Sequence, residues 1–488
     1  MSTGDTTLPA DPAARIAARP ERCYAVVVCQ CIAEPERCGE AALLDPSSGA
    51  DEWIIGRDSG VAFVLQRPGE LLDCGPLGGK LLSREQLRFG FAGDALRVEN
   101  TGSQRAFVDG TELPRGSSVV IDVGTVIEVD GHSTFVVELR PPAIPVARRA
   151  LLPLPPFGEP CAMGFAAESP AAWEHRDEIV LVASDAKAKA AVIFGETGTG
   201  KDVTARAIHA LSPRAKKPFQ PVNCAEITPE LAAARFFGTR KDWPTPGTPQ
   251  TDGYFGEAGD GDLFLDEIAC LETRTHAVLL RAMESGCQRV GETTTRPTRC
   301  RILAATNKPP SSVAEDVLMR FGHVIVCKPL RERPSDIAHV ARAALLRQVE
   351  GDAELEGKFL RKDARGRPYV VCDQSLMATL LRHPLTGNAR QVGNIVTAAV
   401  KEARGTGVIR WPASVPAPAA RQLEPAGTSA AAASAAQAAQ VAPGMRTREQ
   451  VLAALERNHW RYAPTAMDLG VSEDQLYRLR KKYGLDDR

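Results

Sequence analysis

A glycine-rich turn follows an apolar segment near the middle of the chain. The apolar residues 191–194 are followed by Gly195, Glu196, Thr197, Gly198, Thr199, Gly200 and Lys201. Glycines let backbone N–H groups close around a phosphate, and the N-terminus of the helix expected next adds partial positive charge. Lys201 is placed to reach the β- and γ-phosphates of a nucleotide, and Asp202 stands where a Ser or Thr is usual. The alternative, a plain glycine-rich turn, explains less of this strand–loop–helix pattern.

A second apolar segment ends in two carboxylates. It reads LFLDEI and places Asp266 and Glu267 at the end of a predicted strand, about 65 residues after Lys201. We expect Asp266 to hold Mg²⁺, directly or through water, and Glu267 to orient and deprotonate an attacking water. A third predicted strand, RILAATN, ends in Thr306 and Asn307, which are placed to sense a γ-phosphate. An acidic pair alone is commonplace, but beside a phosphate loop it indicates ATP hydrolysis.

The hydrophobic pattern predicts the elements that position these groups. Residues 165–332 alternate strand-like runs with helical patterns, which predicts an α/β P-loop domain, and residues 333–405 are expected to form its helical lid. Residues 24–140 hold short β-type runs separated by Gly and Asp, which predicts an all-β sandwich. The predicted fold class is therefore multidomain.

Two linkers and an all-α end complete the predicted organisation. Residues 141–164 form a proline-rich linker, residues 406–446 an Ala/Pro-rich flexible linker, and residues 447–488 a helical segment with a basic end. The net charge is −1, so any surface that binds nucleic acid must be local. The chain has no long apolar run and no signal-like N-terminus, which predicts a cytoplasmic protein without membrane contact.

The central motifs occur together in one known family. Residues 165–405 contain, in order, GETGTGKD, PVNCAEI, FFG, GDLFLDEI, ILAATN, PLRERPSDI and GNARQVGNI. This stretch resembles the bacterial enhancer-binding proteins, the AAA+ activators that remodel RNA polymerase carrying sigma-54. The resemblance implies an ATP- and Mg²⁺-dependent ATPase that works as a hexameric ring and regulates transcription. An acidic residue at the position of Asp202 is normal in that family.

The resemblance also assigns roles to individual residues. Asn223 is implied to hold the catalytic Glu267 until nucleotide is sensed, and Arg390 to be the lid arginine that contacts phosphate. Arg320 is implied to reach the ATP of the next subunit. The family usually has a second arginine, where this chain has Ala314. One such arginine can still stabilise transition-state charge, so we expect hydrolysis, but at a reduced rate.

The segment after FFG departs from the family. It reads TRKDWPTPGT, and an ungapped alignment places the family's sigma-54-contacting GAFTGA loop on residues 242–247. Only Thr245 is kept; Trp243 is an aromatic one position early, and Pro244 replaces the phenylalanine. Proline fixes φ and restricts the residue before it, so we expect a rigid tip and the loss of ordinary sigma-54 activation. The competing interpretation is that Trp243 and Thr245 substitute for the usual contact.

The N-terminal region resembles a forkhead-associated (FHA) domain. The resemblance rests on IIGRD at 54–58, LLSREQLRF at 81–89 and AFVDG at 106–110. It implies a sandwich that binds a phosphothreonine protein through Arg57 and Ser83, with Arg84 assisting. Gln86 replaces the usual histidine. The alternative is a sandwich that packs on the ATPase without binding phosphate.

The last forty or so residues resemble a Fis-type helix-turn-helix. A second helix is predicted after Ser472, and it would enter the major groove of double-stranded DNA at an upstream, enhancer-like site. The residues expected to reach bases or phosphates are Gln475, Arg478, Arg480, Lys481 and Lys482. A solvated surface helix is the alternative.

Two functions follow from these patterns. The first is an FHA-gated, DNA-tethered AAA+ ATPase that acts on RNA polymerase with sigma-54 or on another transcription factor. The second is a phosphopeptide- and DNA-binding scaffold or repressor with a weakly active nucleotide module. The presence of Lys201, Asp266, Glu267 and Arg390 favours the first.

Overall fold

The computed structural model describes residues 22–57, 60–93, 95–145, 164–272, 285–309 and 321–421, together with positions 275, 278, 279 and 282. The chain divides into two units, Met1–Glu424 and Pro425–Arg488. The predicted helix-turn-helix, with Gln475, Arg478, Arg480, Lys481 and Lys482, lies outside the described residues, as do Arg320 and Ala314. Among the described helices, none combines the length and apolarity needed to cross a membrane.

The N-terminal region is built from antiparallel strands, as predicted. The strands are β1 (Cys23–Cys31), β2 (Ala41–Leu44), β3 (Glu52–Ile55), β4 (Phe63–Arg67), β5 (Glu70–Gly75), β6 (Leu87–Ala92), β7 (Ala95–Asn100), β8 (Ala106–Val108), β9 (Thr111–Leu113), β10 (Ser118–Ile121), β11 (Val126–Val129) and β12 (Ser133–Arg140). They form one sheet in the order β5-β4-β2-β1-β12-β11-β8-β9 and another in the order β10-β7-β6-β3. Alternation along β7 buries Leu96 and Val98 between the sheets.

A parallel sheet follows, which confirms the predicted α/β class of the central domain. Its strands are β13 (Ala190–Phe194), β14 (Phe219–Asn223), β15 (Asp262–Asp266), β16 (Arg301–Thr306) and β17 (His323–Val326). Their order is β14-β15-β16-β13-β17, and every pair is parallel. The helices of this region are α1 (Pro170–Ser184), α2 (Lys201–Leu211), α3 (Pro229–Phe237) and α4 (Gly253–Ala258). Burial on both faces explains why β13, β15 and β16 read as continuous apolar runs.

The lid contains a hairpin that the sequence did not predict. Its helices are α5 (Ser335–Val349), α6 (Ala353–Phe359), α7 (Gln374–Arg382) and α8 (Asn388–Thr406). Between α6 and α7, β18 (Leu360–Lys362) pairs with β19 (Pro368–Val370). Strands of three residues carry too few side chains to show a period of two.

The sandwich and the lid share one hydrophobic core. In β1, Val26 and Val28 face the interior of the sandwich, whereas Val27 and Cys29 join a cluster that contains Ala338 and Leu345 of α5. The sequence CYAVVVCQC is therefore nearly continuous in apolar residues because β1 is buried on both faces. The sandwich packs on the lid as an extension of its core.

Candidate functional site

The residues expected to do chemistry lie at the carboxyl edge of the parallel sheet. Strand β13 leads into the phosphate loop, β15 ends at Asp266, and β16 ends at Thr306. Carboxyl ends of parallel strands share one edge, so the fold brings these three positions together. The backbone confirms this proximity, since Gly195 N donates to Thr306 O at 3.2 Å.

The phosphate loop closes around the lysine side chain. Lys201 is buried, and its Nζ donates to Gly195 O at 2.8 Å and to Glu196 O at 3.2 Å. Thr199 is also buried and its hydroxyl donates to Glu196 O at 2.8 Å. Gly200 caps α2 in the left-handed region, with φ of 98°. Asp202 lies in the first turn of α2, where a carboxylate interacts favourably with the helix N-terminus.

The two acids lie at the end of β15, where Asp266 is the last strand residue and Glu267 begins a strained turn. Glu267 has a φ of 50°, and its N–H donates to Asp266 Oδ1 at 3.0 Å. The left-handed conformation at a bulky residue turns the Glu267 side chain away from the line of the strand. Asp266 and Glu267 are both half-buried, so both carboxylates are accessible from the carboxyl edge.

Asn223 lies opposite Asp266 in the β14–β15 register, but its side chain bonds elsewhere. Its Nδ2 donates to Glu226 Oε1 at 2.7 Å, and its Oδ1 accepts from Ala225 N at 3.2 Å. A short 3-10 turn, Cys224–Glu226, folds Glu226 back over the amide. The expected contact between Asn223 and Glu267 is not among the hydrogen bonds of the described residues, so that role stays a prediction. At the end of β16, Thr306 Oγ1 accepts from Lys308 N at 3.2 Å, and Asn307 is exposed.

The lid is held against the phosphate loop by two residues that sequence reasoning missed. Arg331 makes a bidentate ion pair with Glu196, at 2.7 and 2.6 Å, and these bonds hold the pKa of Glu196 below its ordinary value. Asn388 donates to Thr197 O at 3.1 Å and to Glu196 Oε2 at 3.3 Å. Both residues lie inside the motifs PLRERPSDI and GNAR, but neither motif shows which partner its side chain would meet.

Arg390 lies next to the loop, and its contact with phosphate stays a prediction. It is the third residue of α8, and a Cβ at Gly198 would lie 3.1 Å from its Cβ. The same hypothetical Cβ would lie 2.2 Å from Gly387 O, so only glycine allows the lid to approach this closely. The loop and the lid therefore meet at Gly198, with the Arg390 side chain exposed beside it.

The candidate phosphopeptide residues also come together. Arg57 N donates to Ser83 O at 2.9 Å, which brings Arg57, Ser83 and Arg84 to one end of the sandwich. Ser103, which we did not predict, donates its N–H to Ser83 Oγ at 3.0 Å, and the two hydroxyls lie 3.1 Å apart. Gln86 is fully buried and bonds Asn100 at 2.9 Å, so it supports the loops from beneath.

The loop in the sigma-54-contact position forms a closed turn. Asp242 N donates to Thr248 O at 2.9 Å, and Gly247 N donates to Asp242 Oδ1 at 2.8 Å. The hydroxyls of Thr245 and Thr248 lie 3.1 Å apart. At the base, Arg289 donates to Thr251 O at 3.0 Å and pairs with Asp252. These bonds fix both the tip and the base of the loop.

Trp243 lies away from the tip of this loop. A Cβ at Gly291 would lie 2.9 Å from Trp243 Cδ1, so the indole rests against the neighbouring segment. The residues exposed at the tip are Pro244, Thr245, Pro246 and Gly247. The aromatic ring is therefore half-buried, and the prolines and a threonine face solvent.

Comparison with known proteins places this site in a family. Residues 166–322 match the model of the sigma-54 interaction domain. The chain is 33% identical over 310 residues to the Nif-specific regulatory protein of Azotobacter vinelandii, covering 59% of this chain and 53% of that protein. It is 33% identical over 311 residues to the alginate biosynthesis transcriptional regulatory protein AlgB of Pseudomonas aeruginosa, covering 60% and 62%.

The match to the transcriptional regulatory protein FlbD of Caulobacter vibrioides is more extensive. The two are 31% identical over 363 residues, which are 70% of this chain and 77% of FlbD. By contrast, this chain spans 53% of the length of the Azotobacter protein and 62% of the length of AlgB.

Proposed function

Because the chain belongs to the family of sigma-54-dependent transcriptional regulators, we propose that it is a DNA-bound AAA+ ATPase that regulates transcription initiation as a ring-shaped oligomer. The observation that carries the proposal is the convergence of Lys201, Asp266, Glu267 and Thr306 at one sheet edge beneath the lid. Such an edge is where α/β proteins bind nucleotides.

Each residue has a task in the proposed hydrolysis of ATP. Lys201 and the loop N–H groups hold the phosphates, and Glu267 orients the water and takes its proton. Asp266 would hold Mg²⁺, which neutralises charge on the phosphates when bound; its half-buried carboxylate is a fitting hard oxygen ligand. Arg390 approaches from the lid, and Arg320 is proposed to reach the site of the next subunit.

The test is phosphate release by the full-length protein. We expect Glu267→Gln to bind ATP normally and to lower the rate at least about 100-fold, as loss of a general base does. Glu257→Gln, an exposed glutamate of α4, is the matched control and should not change the rate. Wild-type activity in E267Q would refute the assignment, and nucleotide binding without turnover at any protein concentration would favour the scaffold function. A specific rate that rises with protein concentration would support ring assembly through Arg320.

We propose that the sandwich gates this ATPase. Segment 34–40 supports the idea because it contacts both the lid and residues 75–78, which lie in the connection that precedes Ser83. On the loop side, Arg37 donates to Gly75 O at 2.8 Å and Pro76 O at 2.9 Å, and Glu34 accepts from Gly78 N at 2.7 Å. Gly75, Pro76 and Gly78 lie at the start of the connection that leads to Ser83.

On the lid side, the same segment meets three arginines. Arg342 of α5 donates to Pro35 O, Arg367 donates to Glu36 O at 3.4 Å, and Arg365 lies 3.6 Å from Glu40. If ligand binding near Ser83 displaced residues 75–78, segment 34–40 would transmit that displacement to the lid through packed contacts.

The gating proposal is tested with phosphothreonine peptides and full-length protein. We expect a phosphothreonine peptide library to change the ATPase rate, and its unphosphorylated counterpart to have no effect. Arg57→Ala should abolish the response, whereas Arg97→Ala on β7 should keep it. A wild-type protein that binds no phosphopeptide would leave the sandwich with a packing role only.

We propose that the 242–247 loop has lost ordinary contact with sigma-54. Its internal hydrogen bonds and the placement of Trp243 against Gly291 support a rigid tip without an exposed aromatic side chain. The experiment traps the protein with an ATP transition-state mimic and adds purified sigma-54. A stable, nucleotide-dependent complex with open-promoter activity would refute this proposal.

DNA binding is proposed through the C-terminal helix-turn-helix resemblance. Arg478→Ala should relax sequence preference, while Lys482→Ala should weaken binding to all sequences about equally, because phosphate contacts carry no base information. A footprint unchanged in pattern and affinity by R478A would count against the assignment.

A further inference from the structure

We propose that Asn388 is a positioning residue that seats the lid arginine Arg390 beside the phosphate loop, with Thr197 and Glu196 as its acceptors. This rests on the proposed ATP site and adds to it a residue that never touches the nucleotide.

The Asn388 side chain joins three segments of the chain. Its Oδ1 accepts from Leu330 N at 2.8 Å, just before α5. Its Nδ2 donates to Thr197 O at 3.1 Å and to Glu196 Oε2 at 3.3 Å, both in the phosphate loop. Only 1% of the residue is exposed. A buried amide with both of its polar atoms in use fixes the geometry of the groups around it, because any rotation leaves a polar atom unpaired.

The backbone of Asn388 adds to the same connection. Its φ is 49°, a left-handed conformation that Asn tolerates better than most residues, and its N–H donates to Leu385 O at 2.8 Å. The next residue, Ala389, donates its N–H to Gly198 O at 3.0 Å. Thus the first two residues of α8 are both bonded to the phosphate loop, and Arg390 follows directly.

The neighbouring ion pair does not replace this contact. The side chains of Glu196 and Arg331 are 40% and 53% exposed, so solvent screens their attraction. Asn388, by contrast, is shielded from water and competes with no solvent hydrogen bond. The buried amide therefore sets where α8 begins relative to Gly198, and the ion pair reinforces it from outside.

Asn388→Asp is the sharpest test, because it keeps the shape of the side chain. One carboxylate oxygen still accepts from Leu330 N, but the other faces Thr197 O and Glu196 with no proton to donate. We expect N388D to weaken binding of a non-hydrolysable ATP analogue by about tenfold and to raise KM similarly, with kcat changed less than about threefold. Asn394→Asp, an exposed asparagine of the same helix, is the matched control.

A double-mutant cycle with Arg390 separates positioning from a merely structural role. If Asn388 acts through Arg390, then N388D on an R390A background should cost less than about twofold in affinity, because the group it positions is already gone. A further tenfold loss on that background, or normal affinity in N388D alone, would overturn the proposal. If N388D does not fold, Asn388→Gly gives the same cycle, since glycine accepts the left-handed φ.

A rescue experiment tests whether Glu196 is an acceptor for the Asn388 amide. Because E196Q alone loses the ion pair with Arg331, that single variant is the reference. In E196Q/N388D the new amide at position 196 can donate to the new carboxylate, so N388D should cost about threefold less affinity on the E196Q background than in the otherwise wild-type protein. If the cost of N388D is the same on both backgrounds, Glu196 is not an acceptor that positions Asn388. If the wild-type protein binds the analogue but hydrolyses no ATP, the proposed ATPase activity is refuted, and the affinity measurements on Asn388 and Arg390 still test the positioning role. If the wild-type protein binds no analogue, both the ATPase proposal and the positioning proposal are overturned.

Discussion

The lid has two contact surfaces of opposite character. Against the sandwich it contributes Ala338 and Leu345 to a continuous apolar core with β1. Against the phosphate loop it makes mostly polar contacts, among them the exposed ion pair between Arg331 and Glu196. Apolar burial is lost completely when such a surface opens, whereas polar groups such as the buried Asn388 amide can exchange their partners for water, at little cost where a pair is already exposed. We infer that the lid and the sandwich move as one body and that motion occurs at the phosphate loop.

Buried charges reinforce the sandwich side of the lid. Arg140 donates to Glu138 at 3.1 Å and to Ser335 Oγ at 3.0 Å, and Ser335 N donates to Glu138 Oε1 at 2.7 Å. The carboxylate of Asp336 accepts from the N–H and the hydroxyl of Ser169, at 3.0 and 2.7 Å. The N-terminus of α5 is thus bonded to the sandwich and to the N-cap of α1, so one joint connects all three parts of the described chain.

The largest effect is expected from Arg140→Ala. It removes the cationic partner of Glu138 and leaves that carboxylate buried beside the Ser335 N–H, so the free energy of unfolding should fall by about 3–5 kcal/mol. Urea unfolding of the full-length protein measures it. Arg105→Ala is the matched control, because Arg105 pairs with Glu112 at 3.3 Å while 60% and 50% of the two side chains are exposed, and it should cost less than about 1 kcal/mol. If R140A and R105A lowered the free energy of unfolding by similar amounts, the buried Arg140–Glu138 pair would contribute no more to stability than an exposed pair.

A somewhat smaller, pH-dependent effect is expected from His339 of α5. Burial lowers its pKa to about 4, from an ordinary value of 6.5, with Glu168 and Asp336 opposing the shift and Arg342 and Arg140 adding to it. The folded protein then binds fewer protons than the unfolded chain between these two pH values, so stability falls as the pH drops below 6.5. The loss reaches roughly 3 kcal/mol near pH 4.

His339→Leu should remove that part of the acid sensitivity. Denaturant midpoints between pH 7 and pH 4 measure it, with wild-type protein as the reference. Burial also lowers the pKa of His383, at a partly exposed site of the lid, so His383→Gln should remove a smaller part of the acid sensitivity. An unchanged pH profile in H339L would show that acid unfolding begins elsewhere than at the joint between the sandwich and the lid.

How much the sequence could predict differs between these two surfaces. The phosphate loop and the paired acids were predictable because a parallel strand is a short apolar run and the chemistry follows it within a few residues. The β-rich region was predictable from its alternating runs. The contact between β1 and α5 was not predicted, although the non-alternating sequence CYAVVVCQC was a signal that both faces of β1 are covered.

The residues that join the lid to the phosphate loop could not be predicted at all. Asn388 and Thr197 are 191 positions apart, and the polar types of Asn388, Arg331 and Glu196 fit a solvated surface equally well. Their partners depend on how closely two subdomains approach at Gly198, which no local pattern encodes. The same holds for Ser103, which becomes a candidate phosphate ligand only because its loop meets that of Ser83.

The smallest effect on stability is expected from Arg331→Met, on the opposite surface of the lid. Because the ion pair with Glu196 is exposed, the free energy of unfolding without nucleotide should change by less than about 1 kcal/mol. Affinity for an ATP analogue should still fall by about threefold, since the loop loses an external support. Lys328→Met removes an equally exposed pair, with Glu174 at 2.9 Å, that does not touch the loop, and it should change neither quantity. If R331M destabilised the fold as much as R140A does, then the two surfaces of the lid would not differ as inferred, and movement at the phosphate loop would have to break more than polar contacts.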